Sequence, residues 1–207
     1  MADPTFRQEQ WQHRFDPHIA PINQFIDELR RGGKWAPYVA PMYGGTAARL
    51  LSVLRDPGPM TQDGVGSGFL CMENDDPTAE TICGLFQEAG IIGSDIVPWN
   101  MYPWYINRAP KGLELDEGIH PLKKMIDLLP QLRVVMLHGG DAHSIWKRLE
   151  HTFPQIQSSR KIDVIKTYHT SRQAFWTPDP AERERRKQHL VDSFFRAAQI
   201  LRGTSAA

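Results

Sequence analysis

The sequence predicts an α/β fold: a single-domain, three-layer α/β/α sandwich around a central four-stranded parallel sheet. Short apolar runs alternate with longer amphipathic stretches, and there is no internal repeat. Strands joined by crossover helices run parallel, so this alternation favours a parallel sheet. With 207 residues, 41% of them hydrophobic, the chain can bury one substantial core. We expect a helical N-terminal part over residues 1–45 and an α/β core over 46–203.

Four short apolar segments predict the strands of the sheet. They are residues 50–54, 95–99, 132–137 and 162–168. The second segment contains Pro98, which lacks the amide N–H that most strand positions use.

Five segments have the periodicity of helices. In residues 18–31 the apolar side chains fall on one helical face, and Gly32 and Gly33 follow as a stop signal. In residues 77–90, a proline stands in the first turn and a glycine at the end. Residues 121–129, 141–151 and 180–202 predict the remaining helices.

Composition and charge exclude several classes of protein. Lys plus Arg and Asp plus Glu both number 24, so the whole chain attracts neither nucleic acid nor an anionic membrane, and any basic surface must be local. Cys71 and Cys83 match no metal-ligand spacing and cannot form a disulfide framework. No apolar run reaches the roughly 18 residues of a membrane span. We expect a cytoplasmic monomer without cofactor or metal.

The predicted topology brings distant residues to one edge of the sheet. In open parallel sheets, ligands bind outside the carboxyl ends of the strands. The residues at or just past the four predicted strand ends are Asp56, Asn100, His138 and His169. We therefore expect these four side chains to converge on one rim.

Residues 45–200 carry several segments that, in this order, resemble the uracil-DNA glycosylase superfamily. A strand followed by RDPGP at 55–59 resembles the family's first motif, an acidic or amide residue before a proline-bearing loop. The other segments are GVGSGFLC at 64–71, VPWNMYPWY at 97–105, VVMLHGGDAHSIWKRL at 134–149 and YHTSRQAF at 168–175. The resemblance implies an enzyme that flips uracil out of DNA and hydrolyses its N-glycosidic bond, leaving an abasic site and free uracil.

Breaking an N-glycosidic bond builds positive charge on the sugar and negative charge on the base. The resemblance implies that the carboxylate of Asp56 stabilises the sugar cation and positions water. Pro57 and Gly58, with Arg55 before them, would form a rigid substrate-binding loop that lets backbone approach the nucleotide. His169 would donate a hydrogen bond to the uracil oxygen that gains charge. Ordinary turn roles for both residues are the alternatives.

The same resemblance implies residues that recognise the flipped base. Asn100 offers one donor and one acceptor, which match uracil O4 and N3–H and oppose the pattern of cytosine. Phe69 would stack on the base, with Leu70 and Cys71 beside it. A core position for Phe69 is the alternative, and a shift of two residues would put Cys71 in the stacking place. An ordinary turn is the alternative for Asn100.

Glycine at position 58 also bears on the range of bases. Some branches of the superfamily place a tyrosine two residues after the catalytic acid, against the 5-position of the base, where this chain has Gly58. We expect excision of 5-substituted uracils unless Met60, Met72 or Trp99 fills the space.

The loop after the last predicted strand would hold single- or double-stranded DNA that contains uracil. Ser171, Arg172 and Gln173 are the expected DNA-binding residues, and Gln173 stands where the family often has a wedge side chain. Thr170 and Arg172 replace prolines that are common in the family. Further phosphate contacts are expected from Arg55 and from Lys147, Arg148 or Arg160.

Other interpretations remain open. His138, Asp141 and His143 could ligate zinc, although their spacing fits no defined motif, and Cys71 could be a nucleophile rather than a buried thiol. The charged run AERERRK at 181–187 is typical of a solvated helix face. Because the second motif departs from the family, a uracil- or abasic-DNA-binding protein with little or no turnover is the alternative function.

Overall fold

A computed structural model describes residues 1–203, apart from the side chain of Arg172. The helices are α1 Pro4–Gln12, α2 Ala20–Arg30, α3 Pro77–Ala89, α4 Gly112–Glu117, α5 Ile119–Asp127, α6 Gly140–Thr152 and α7 Pro180–Arg202. The strands are β1 Tyr38–Val39, β2 Leu50–Leu54, β3 Phe69–Leu70, β4 Ile96–Asn100, β5 Val134–His138 and β6 Asp163–Thr167. Short 3-10 turns cover Gly45–Ala47, Pro59–Thr61, Gly93–Asp95 and Arg172–Phe175.

The central sheet has the strand order β4-β2-β5-β6, and all neighbouring strands are parallel. The predicted α/β class and four-stranded parallel sheet are confirmed. Each predicted strand coincides with an observed one to within a few residues. Leu54 pairs with Asn100, and His138 pairs with Thr167, so the carboxyl ends of the strands lie at one edge.

Pro98 is accommodated because β4 is the outer strand of the sheet. The carbonyl oxygen of Ile96 points away from β2 and accepts a hydrogen bond from the amide of Gly44 at 3.2 Å. Along a strand, the backbone N–H and C=O groups of residues two apart point to the same side, so the nitrogen of Pro98 also points away from β2. The missing N–H of Pro98 therefore removes no hydrogen bond between β4 and β2.

Helices cover both faces of the sheet, which makes three layers. On one face, α3 packs on α7, where the Phe86 and Phe194 ring centroids are 4.7 Å apart. On the other face, α5 packs on α6. Right-handed crossovers account for this division, because the chain moves from β2 toward β4 but from β5 toward β6.

Helix α3 illustrates why the predicted boundaries were accurate. The carboxylate of Asp76 accepts hydrogen bonds from the amides of Thr78 and Ala79, both at 2.9 Å. Pro77 occupies the first helical position, and Gly90 ends the helix with a φ of 70°. These local signals need no tertiary partner.

The N-terminal part contains a strand as well as the expected helices. β1 pairs with β3 in parallel to make a second, two-stranded sheet. Asn23 of α2 fixes β1, since its buried amide bonds the backbone N–H and C=O of Val39 at 2.9 and 3.0 Å. The buried apolar residues form one continuous cluster from Met1 to Leu201. A two-residue strand is too short for its periodicity to be recognised in the sequence.

Within residues 1–203, no helix has both the length and the apolar character needed to cross a membrane.

Candidate functional site

A cavity of about 700 Å³ opens at the carboxyl ends of the strands. The chain leaves β2 in the direction of β4 but leaves β5 in the direction of β6, so the loops after these adjacent strands diverge and leave a crevice. Such switch points are where open parallel sheets bind ligands. Residues 55–61 form one wall and residues 139–141 the other. The first turns of α3 add to the lining.

The structure brings the four strand-end residues together around this cavity. Asp56, Asn100, His138 and His169 all line it, although they are far apart in the chain. Seven further residues expected at the site also line it: Arg55, Pro57, Gly58, Leu70, Cys71, Ser171 and Gln173. The side chain of Arg172 lies outside the described part of the structure, so its DNA-binding role stays a prediction.

Phe69 is not brought to the cavity. Its ring is fully buried and lies 4.9 Å from the ring of Trp11 and 6.4 Å from that of Tyr38. This placement corrects the expectation that Phe69 stacks on a base and agrees with the alternative core position. Neighbouring side chains on a strand point in opposite directions, so Leu70 faces the cavity instead. Helix α1 supplies Trp11, and nothing in the sequence indicated that contact.

At the mouth of the cavity, Arg55 joins two carboxylates across the crevice. Its Nε bonds Asp56 Oδ1, and its Nη1 lies 3.2 Å from Asp141 Oδ2 in the first turn of α6. The side chain of Asp56 is 12% exposed, against 37% for Arg55 and 58% for Asp141. Burial raises the pKa of Asp56, and the guanidinium of Arg55 opposes that rise. The carboxylate of Asp56 is therefore desolvated but held in a defined orientation.

The hydrogen bonding of His169 selects one tautomer. Its Nδ1 accepts a hydrogen bond from the amide of Ser171 at 3.0 Å. Because an acceptor nitrogen carries no proton, the neutral ring has its proton on Nε2. Burial and then the charge of Arg55 lower the pKa of His169, which keeps the ring neutral. His169 thus presents an N–H donor without a positive charge.

Gly139 lets the His169 loop lie against the end of β5. Its φ is 91°, and a Cβ at this position would be only 3.1 Å from the Cβ of His169. A larger residue would be strained and would push the histidine away.

The floor of the cavity contains buried polar side chains with unused hydrogen-bonding atoms. Asn100 and His138 end β4 and β5, on either side of β2, and both are 1% exposed. Among the described residues, neither Asn100 Nδ2 nor His138 Nδ1 has a hydrogen-bond partner. Leaving a buried polar atom unpaired costs about 1–3 kcal/mol. Such atoms in a cavity are candidates for ligand contacts.

The sequence analysis missed the partner of His138. Its Nε2 lies 3.0 Å from the Oγ of Ser52, and burial lowers the pKa of His138 to about 3, so the ring is neutral. Ser52 is a polar residue inside an apolar strand, two positions before Leu54, and both line the cavity. This polar position in an apolar strand was the feature of the sequence that could have indicated a role for Ser52 at the cavity.

The three candidate zinc ligands have separate partners. His143 Nε2 lies 3.1 and 3.0 Å from the carbonyl oxygens of Leu137 and Thr167, at the ends of β5 and β6. Asp141 pairs with Arg55, as described above. In the part of the chain that the structure describes, no group of three His, Cys, Asp or Glu residues is arranged to hold a metal ion.

Several other expected residues have structural partners. Burial raises the pKa of Cys71 to about 11, so its side chain stays a thiol at neutral pH. Arg148 pairs with Asp116 at 2.6 Å, and Arg160 bonds the carbonyl oxygens of Ile126 and Leu129. Of the aromatic residues after β4, Tyr105 lines the cavity, whereas Tyr102 and Trp104 are buried.

No protein-family model matches this chain, and a search of curated proteins found no significant match. The fold and the cavity define an α/β protein with a cavity at a switch point of its parallel sheet. The site combines a desolvated carboxylate, a neutral imidazole donor and an unpaired amide. These groups suit a neutral, planar ligand with polar edges.

Proposed function

We propose that this protein is a DNA glycosylase that removes uracil from DNA by hydrolysis of the N-glycosidic bond. One observation carries the proposal: Asp56, Asn100 and His169, from three different strand ends, line the same cavity. Each supplies a different group that this reaction needs. The resemblance of the surrounding segments to the uracil-DNA glycosylase superfamily supports the same conclusion.

His169 would stabilise the departing base. As the bond between C1′ and N1 breaks, its electrons move onto uracil, and the O2 oxygen gains negative charge. The Nε2–H of a neutral His169 would donate to that oxygen, while the amide of Ser171 holds the ring in the required tautomer. One preorganised donor of this kind accelerates a reaction by roughly 100-fold or more.

Asp56 would act on the sugar side of the bond. Its carboxylate would stabilise the cationic sugar and orient the water that adds to C1′, and the proton that this water loses would neutralise the uracil anion. The contact with Arg55 fixes the carboxylate before substrate arrives, so little reorganisation is needed during the reaction.

Asn100 would select the base. Its Nδ2 would donate to uracil O4, and its Oδ1 would accept from N3–H. Cytosine has a donor at position 4 and an acceptor at N3, so it would face both groups with the wrong polarity. Asn100 lines the cavity, and its Nδ2 has no protein partner that a base would have to displace.

The loop at Gly58 leaves room for bases with a 5-substituent. A Cβ at this position would meet no atom within 4 Å, and Gly58 lines the cavity. Met60, Met72 and Trp99 line it too, yet a volume of about 700 Å³ remains. We include 5-substituted uracils in the proposed substrate range.

An excision assay tests the proposal. Single- and double-stranded oligonucleotides containing uracil, 5-hydroxymethyluracil or thymine opposite guanine are incubated with protein and cleaved with alkali. We expect strand breaks at uracil and at 5-hydroxymethyluracil, loss of both in Asp56→Asn, and full activity in Asp127→Asn, a control in α5 outside the cavity. Intact uracil oligonucleotides would contradict the proposal, and strict uracil specificity would remove the wider substrate range.

A non-catalytic DNA-binding function is the second candidate. The second motif favours it, because Thr170 and Arg172 stand where the resembled family commonly has prolines. A gel-shift assay with uracil-containing and abasic oligonucleotides distinguishes the two. Specific binding without excision would support this second function.

A further inference from the structure

Trp176 is a large apolar side chain that the fold leaves in solvent. It is 75% exposed and follows directly after the 3-10 turn Arg172–Phe175. Ser171 and Gln173, at the start of this segment, line the cavity. Trp176 therefore lies three positions along the chain from Gln173, which lines the cavity.

The backbone that carries Trp176 is held firmly. The amide of Trp176 donates to the carbonyl oxygen of Gln173 at 3.1 Å. Arg183 of α7 donates to the carbonyl oxygen of Thr177 at 2.9 Å, and Arg186 donates to that of Ala174 at 3.3 Å. The sequence predicted a solvated helix face for the charged run at 181–187. Two of its arginines also anchor this loop. A ring on an anchored segment loses little entropy on binding.

The segment that contains Trp176 carries a net positive charge, although Arg185, Arg186 and Lys187 pair with Glu182 or Glu184. Residues 172–187 contain five basic and three acidic residues, in a chain whose formal net charge is zero. A positive excess in the same segment as an exposed aromatic ring suits single-stranded nucleic acid, because cations attract the phosphates and rings stack on the bases. Gln173 cannot supply a stacking surface.

We propose that Trp176 stacks on an unpaired nucleobase next to the nucleotide held in the cavity. This inference rests on the proposed function, because it takes DNA as the ligand. Stacking on one base strengthens binding by about tenfold or more, with little dependence on sequence. Trp176 would therefore contribute to affinity for the strand rather than to recognition of uracil.

Binding of a uracil-free single-stranded oligonucleotide tests the inference. We expect DNA to quench the tryptophan emission of the wild type and expect Trp176→Phe to lose most of this quenching. Trp176→Ala should weaken binding about tenfold. The control is Ile92→Ala, an exposed apolar residue before β4, at the opposite edge of the sheet, and it should bind like the wild type.

The outcomes separate this inference from the proposed function. Unchanged affinity in Trp176→Ala, or unchanged quenching in Trp176→Phe, would overturn the stacking role even if uracil is excised. If uracil is not excised but quenching and affinity still depend on Trp176, the glycosylase proposal fails and the stacking role stands.

Discussion

The polar groups at the mouth of the cavity are paired, whereas two polar side chains on its floor keep unpaired atoms. At the mouth, Arg55 is paired with Asp56 and Asp141, and the side chains of these three residues differ in their exposure to solvent. On the floor, Asn100 and His138 are neutral and buried, and each keeps one nitrogen unpaired among the described residues. The charges at the mouth are therefore held in place, whereas the floor retains buried polar atoms without a partner.

The two regions should respond differently to substitution. A partly exposed ion pair contributes only about 0–1 kcal/mol to stability, whereas an unpaired buried polar atom costs about 1–3 kcal/mol. Changes at the mouth should then alter activity and its pH dependence more than stability. Substitutions that remove an unpaired polar atom from the floor should weaken ligand binding and raise the free energy of unfolding. The following predictions test that contrast.

The largest effect is expected from His169→Ala. Loss of the Nε2–H donor should lower kcat for uracil excision by roughly 100-fold, because in the proposed mechanism this donor acts mainly on charge that develops in the transition state. Single-turnover excision assays measure this, with His151→Asn, an exposed histidine of α6, as the control. A rise in KM with unchanged kcat would mean that His169 only binds the substrate.

A stability effect of similar size is expected from His138 and its partner Ser52 when the pH is lowered. The pKa of His138 is about 3 in the folded protein and 6.5 in the reference state, so the unfolded chain takes up the proton first on acidification. The free energy of unfolding should therefore fall below pH 6.5, with His138 contributing about 2 kcal/mol of that loss at pH 5. Ser52→Ala/His138→Leu should reduce this loss, as followed by urea unfolding at pH 7.5 and pH 5. The same pH dependence in the double variant would exclude His138 as its source.

Asn100→Leu tests whether the floor exchanges stability for recognition. Removing the unpaired amide should raise the free energy of unfolding by about 1 kcal/mol, since a buried orphan donor disappears. Uracil excision should fall about tenfold or more, because hydrogen bonds to O4 and N3–H are lost. Urea unfolding and excision kinetics measure both. A variant that loses stability would show that Asn100 has a structural role.

The smallest effect is expected from Arg55→Gln. Burial raises the pKa of Asp56 and Arg55 opposes the rise, so loss of Arg55 should raise that pKa further. The active carboxylate then protonates at higher pH, and the acidic limb of the kcat profile should move to higher pH. Lys123→Gln, which breaks an ion pair with Asp127 in α5 outside the cavity, is the control. An unmoved limb would mean that Asp56 does not set it.

The sequence predicted what depends on local pattern. β2, β4, β5 and β6 have apolar runs of strand length, and α3 has a complete set of start and stop signals. The convergence of Asp56 and His169 followed because parallel strands bring their carboxyl ends to one edge.

What was missed depends on contacts between distant segments. The core position of Phe69 is set by Trp11, 58 positions earlier in the sequence, which packs against its ring. The pair of Ser52 and His138, 86 positions apart, joins adjacent strands, and the pairing of Arg55 with Asp141 requires the crevice between two loops. Neither spacing nor periodicity contains that information.

The outer strand of the sheet has one further consequence. The free edge of a sheet is a template on which another chain can add a strand and start aggregation. On β4, the carbonyl of Ile96 is already bonded to Gly44, and Pro98 offers no hydrogen to an incoming strand. Because every residue of β4 is also buried, another chain would find few backbone groups to pair with at this edge of the sheet.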